Sequence, residues 1–75
     1  MVDELAHLAQ VDQHIAGTKQ HIRKQEQLIE RLSAKGHKID EAENFLSVLI
    51  DILSALERQR LLILDQVLLA RRGPC

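Results

Sequence analysis

What most constrains this chain is where it can be broken. Its only glycines are Gly17, Gly36 and Gly73, and its only proline is Pro74. Between Asp3 and Lys35 nothing interrupts a helix except Gly17, which costs about 1 kcal/mol relative to alanine in a helix interior. Between Asp40 and Arg72 nothing interrupts one at all. The stop signal is Ser33-Ala34-Lys35-Gly36-His37: Lys35 suits the negative end of a helix, and Gly36 the left-handed position just past it. A start signal follows at once. Asp40 can cap, Glu43 completes a capping-box-like pair, and Glu41 adds charge to the first turn. The chain therefore reads as one all-α domain over residues 1–75: helix 1 over about 3–35, a turn at 36–39, helix 2 over about 40–72, and a tail at 73–75. Each helix should be about 50 Å long at 1.5 Å per residue.

Periodicity agrees. In helix 1, Leu8, Ile15, Ile22 and Ile29 recur every seven residues, with Val11, Thr18, Gln25 and Leu32 at the matching d positions. In helix 2, Ala42, Leu49, Leu56, Ile63 and Ala70 recur every seven, with Phe45, Ile52, Gln59 and Gln66 as the d row. Leu46, Leu53 and Val67 widen this stripe on one side, and Val48, Ala55, Leu62 and Leu69 on the other. A sustained seven-residue repeat implies left-handed, coiled-coil-like packing.

Charge gives the direction of that packing. Residues 1–16 carry net −3, 17–35 net +3, 36–57 net −4 and 58–75 net +3. Folding the chain at Gly36 lays each block against one of opposite sign. Exposed pairs contribute only about 0.2–1 kcal/mol each. Their value lies in favouring an antiparallel hairpin over a straight helix or a parallel pairing. A turn at 36–39 then sets Thr18 near Leu56 to Arg60 and Gln25 near Leu49 to Leu53, where Gln25 finds no polar partner inside the hairpin.

The two helices are unequal. Asp3–Lys35 has 12 apolar residues of 33, whereas Lys38–Ala70 has 19 of 33. One amphipathic neighbour covers one stripe, so helix 2 carries more apolar surface than helix 1 can bury. Each leucine left in water forfeits roughly 1.5–3 kcal/mol. The expectation is association of hairpins through helix 2, as a two-fold dimer forming a four-helix bundle or as a higher oligomer. The expected interface is Phe45, Leu49, Ile52, Leu53, Leu56, Ile63 and Val67. Leu61, Leu64 and Leu68 form a further leucine row at the end away from the turn, which extends that core or serves a second partner.

Size points the same way. With 75 residues, one aromatic side chain (Phe45) and one cysteine (Cys75), neither a large core nor an internal disulfide can stabilise the fold. A partner chain is the remaining route. Lys plus Arg is 10 against 11 acidic residues, so no bulk charge draws the chain to nucleic acid or an anionic membrane. The longest apolar runs span four to six residues, such as Phe45 to Ile50 with Ser47 inside, against the roughly 20 of a membrane span. Met1-Val2-Asp3-Glu4 is acidic where a secretory leader is basic. A cytoplasmic protein is expected.

Few residues suggest chemistry. His7, His14 and His21 align along one edge of the helix 1 seam, but seven residues is about 10.5 Å, whereas helical metal sites use i, i+3 or i+4 pairs. Boundary packing explains them, and their protonation should loosen an assembly between pH 7.5 and 5.5. Lys19, Arg23, Lys24 and Arg31 form the basic cluster a small nucleic-acid-binding regulator would use; pairing with acidic blocks accounts for the same residues. No glycine-rich elbow surrounds Ser33, Ser47 or Ser54, and no phosphate loop, zinc spacing or dinucleotide fingerprint occurs. Neither catalysis nor a metal or cofactor is expected.

His14-Ile15, Gly17, Ile22, Gln25, Leu28-Ile29, Leu32, Gly36-His37, Ala42-Glu43 and Arg60 before Leu62 together resemble a group of short, uncharacterised bacterial helical-hairpin proteins of alphaproteobacterial type. The resemblance spans about residues 7–65 and is most specific between Gln25 and Glu43. Lys38-Ile39 departs from the Asp-Thr usual after the Gly-His pair, which moves the expected cap to Asp40. The resemblance implies a small intracellular protein and lends no activity. The architecture is also similar to the Rop-type RNA-binding hairpin dimer, without a shared motif. The leading expectation is a non-enzymatic, self-associating interaction module, offering its helical faces or leucine-rich end to other proteins. The alternative is a dimeric nucleic-acid-binding regulator.

Overall fold

The computed structural model describes residues 4–72, in two helices: α1, Glu4–Ala34, and α2, Asp40–Arg72. They pack against each other along their length as a helical hairpin 64 Å long and about 16 Å across. The expected helix bounds hold to within a residue among the described positions; Asp3 and the tail 73–75 lie outside them.

The turn is built as its residues require. His37 N–H donates to the Leu32 carbonyl (2.9 Å) and Gly36 N–H to that of Ser33 (3.0 Å). These two bonds define a Schellman end, and they need the left-handed residue that Gly36 supplies at φ 75°. The start of α2 differs from expectation. Glu43 N–H donates to the Ile39 carbonyl (2.8 Å), which makes Ile39 the cap residue and Asp40 the first helical one. Asp40, Glu41 and Glu43 stabilise this end as negative charges in the first turn instead.

Lys19 shares a groove with Glu57, Arg60 and Leu61, as expected of the Thr18 region, but nearer the turn the pairing differs. Gln25 donates from Nε2 to the Ala42 carbonyl (3.0 Å), and the His21 ring lies edge-on to Phe45 at 5.6 Å. Gln25 is thus buried and satisfied inside the hairpin, where no polar partner was expected for it. The cause is the connection. Residues 37–39 are non-helical and can advance up to about 3.3 Å each, so three of them cover the rise of about seven helical residues.

The seam on α1 is the expected one. Val11 and Gln25 are buried, and Leu8, Ile15, Thr18, Ile22, Ile29 and Leu32 are half-buried. On α2 the seam is Ala42, Leu49, Leu56 and Ile63 together with Leu46, Leu53, Arg60 and Val67. Among the described residues one ion pair crosses it, Arg60 Nε to Asp12 Oδ1 at 2.6 Å, between the −3 and +3 blocks.

The hairpin buries little. Its buried apolar residues are Val11, Leu49 and Ile63. The surface is 6163 Å², whereas a compact monomer of this mass exposes about 4,700 Å². The radius of gyration is 17.6 Å against roughly 11 Å for a globule of this length. Sequence patterning gives the reason: two helices side by side have one shared stripe and no third layer.

Candidate functional site

The site that stands out is a surface on α2. Phe45, Val48, Ile52, Ala55, Gln59, Leu62, Gln66 and Leu69 alternate by three and four residues, which is the spacing of a second heptad stripe. At 3.6 residues per turn its centre lies about 110° around the helix from the seam with α1. All eight residues are exposed; Ile52 retains 45% of its surface and Leu62 65%, against 4% for Ile63 on the inner stripe. Two apolar stripes at roughly a right angle are what a helix carries when it has two helical neighbours. Here one neighbour is α1.

The α1 side of this face is the row His7, His14, His21 and Leu28. His21 touches Phe45, and both seven-residue repeats carry the same register on, placing His14 level with Ile52 and His7 with Gln59. His7 is half-buried, while His14, His21 and Leu28 are exposed. The row forms a semi-polar border to the apolar stripe, in keeping with the boundary packing expected of it. Among the described residues no group of three His, Cys, Asp or Glu side chains could hold a metal ion.

The expected interface residues separate into two sets. Leu49, Leu53, Leu56, Ile63 and Val67 lie on the inner stripe, covered by α1. Phe45 and Ile52 lie on the outer stripe. The other large outer members, Val48, Leu62 and Leu69, read from sequence as a mere widening of one stripe. The spacing that assigns them to a separate stripe is visible in sequence, but which stripe meets α1 is not. Leu61 and Leu68 are exposed on the opposite flank, and Leu64 is half-buried there. At the open end of the hairpin α2 is therefore apolar almost all round.

That opposite flank holds a shallow groove of about 390 Å³, lined by Asp12, Ile15, Lys19, Glu57, Arg60 and Leu61. Its two acids and two bases offer a ligand no net charge, and Arg60 is already engaged by Asp12. Lys19 points to this groove, whereas Arg23, Lys24 and Arg31 lie on the side of α1 away from α2. Cys75 lies outside the described residues. No helix among the described residues is long and apolar enough to cross a membrane. No protein-family model, curated protein or solved structure matches this chain.

Proposed function

We propose that this protein is a non-enzymatic helical interaction module that works as an assembly of hairpins, joined through the outer stripe of α2 into a four-helix bundle. The observation that carries this reading is the uncovered heptad stripe from Phe45 to Leu69. Its size is adequate: the chain exposes on the order of 1,500 Å² more than a compact monomer, and a standard interface takes about 800 Å² from each partner. Once the outer stripe is covered, the exposed large apolar residues that remain include Leu5, Ile50, Leu61 and Leu68, and the pair Leu61 and Leu68 at the open end is the place to receive another protein. A bacterial, cytoplasmic setting belongs to the same reading and rests on the residues between Gln25 and Glu43.

The test is Ile52→Asp. A carboxylate there meets water in a lone hairpin and an apolar partner in the assembly. Sedimentation of the parent and the variant at matched concentration should show the parent as an oligomer and the variant shifted to 8.5 kDa. Equal masses for the two would remove the outer stripe from the interface.

A further inference from the structure

Resting on the reading that hairpins pair through the outer stripe, we propose that the occupant is a second copy of this chain whose α2 packs antiparallel on that stripe, in the register that sets Asp51 of each copy against Arg58 of the other.

Three features lead there. The first is like against like. A two-fold axis perpendicular to the helices lays the outer stripe of α2 on its own copy and the His7–Leu28 row on its own copy. An axis along the helices would lay the apolar stripe on the histidine row and leave the histidines against leucines. The second is area. In that register α2 overlaps its copy over residues 40–67, about 42 Å at 1.5 Å per residue, and with a face about 16 Å wide the contact is on the order of 700 Å², close to the ~800 Å² per partner of a standard interface.

The third is charge along the rim. The edge of the outer stripe away from α1 carries Asn44, Asp51, Arg58 and Asp65, spaced by seven and all exposed. Among the described residues neither Asp51 nor Arg58 makes an ion pair. An antiparallel heptad contact can slide only by whole repeats if its apolar layers are to stay matched. One register layers Phe45 on Leu62, Val48 on Gln59 and Ile52 on Ala55; it sets Asp51 against Arg58 twice, by symmetry. A slide of seven in one direction layers Phe45 on Leu69 and Ile52 on Leu62, and sets Asp51 against Asp65 twice and Arg58 against itself. A slide of seven the other way sets Asp51 against itself. A slide of fourteen in the first direction pairs Arg58 with Asp65 but leaves Phe45 and Val48 uncovered. The first register alone combines opposite charges with cover for the whole stripe from Phe45 to Leu62. Like charges at an antiparallel rim exclude both slides of seven, and lost apolar cover excludes the slide of fourteen.

The test uses Asp51→Arg and Arg58→Asp, separately, mixed and combined in one chain, in reductant and low salt. Both positions are exposed, and helicity by circular dichroism checks that each variant still forms the hairpin. Each single variant sets like charges together twice per dimer, so its dimer should be weaker by about ten-fold or more. The equimolar mixture should form a heterodimer as tight as the parent, because the arginine introduced in one variant then meets the aspartate introduced in the other. The combined variant should self-associate as the parent does. Single variants that dimerise like the parent, or a mixture that gains nothing, would overturn the register while leaving the outer stripe as the interface. A parent that sediments as a monomer would overturn the reading beneath it.

Discussion

Two stripes of similar composition run down α2 and meet opposite fates. Leu49, Leu53, Leu56 and Ile63 are covered by α1; Val48, Ile52, Leu62 and Leu69 face water. The large apolar side chains of the two sets are alike, although the outer stripe also carries Gln59 and Gln66 where the inner one carries Arg60. The difference comes from α1, whose single seam of Leu8, Val11, Ile15, Ile22 and Ile29 can cover one stripe only. The comparison shows that one amphipathic neighbour buries one of two apolar stripes and leaves the other in water.

The largest effect separating the stripes should come from charge placed on each. Ile63→Asp places a carboxylate at a buried position of the inner stripe without a partner. It should destabilise the hairpin by about 4 kcal/mol, enough to lose most of the helical signal at 222 nm at room temperature. Ile52→Asp should retain that signal at high protein concentration and act on mass. If both variants unfold equally, or neither does, the stripes are not distinct in role.

Gly36→Ala comes next. At φ 75° an alanine pays for a left-handed conformation, and open space around the Cβ offers no compensation. The cost should be about 1–2 kcal/mol in urea melts at fixed chain concentration. Because this turn sets which residues face each other, the loss should fall on the inner stripe and leave the outer one available. Gly17→Ala should do the reverse. Gly17 is helical, has nothing within 4 Å of an added Cβ, and lies off both stripes. A gain of about 0.8 kcal/mol with no change in mass is expected. A change in assembly on Gly17→Ala would place an interface on the back of α1.

The smallest effect should follow Asp12→Asn. It removes the ion pair with Arg60, whose two side chains are both well exposed. A loss of about 0.5 kcal/mol, vanishing in high salt, is expected in thermal melts. It would measure how little the opposed charge blocks contribute beyond direction.

Much of this was legible in the residues, and the exceptions have physical causes. The breaker pattern placed both helices and the Gly36 turn, because few residues other than glycine take the left-handed position cheaply. The α1 seam was readable because that helix has one apolar stripe. The α2 seam was not: with apolar residues at four of seven heptad positions, periodicity alone permits more than one pairing. Register near the turn was missed for a different reason. The three non-helical residues His37, Lys38 and Ile39 advance faster than helical ones, and their path is not written in hydrophobic pattern. That same shift gave Gln25 a partner at Ala42 that counting residues from the turn could not supply.

The most direct test of the central claim is the mass of the unaltered chain in reductant, by sedimentation equilibrium across concentrations up to the tens of micromolar. An uncovered second stripe on α2 predicts twice 8.5 kDa or a higher multiple, falling toward the single-chain mass on dilution. A fully helical species of 8.5 kDa at every concentration would contradict it.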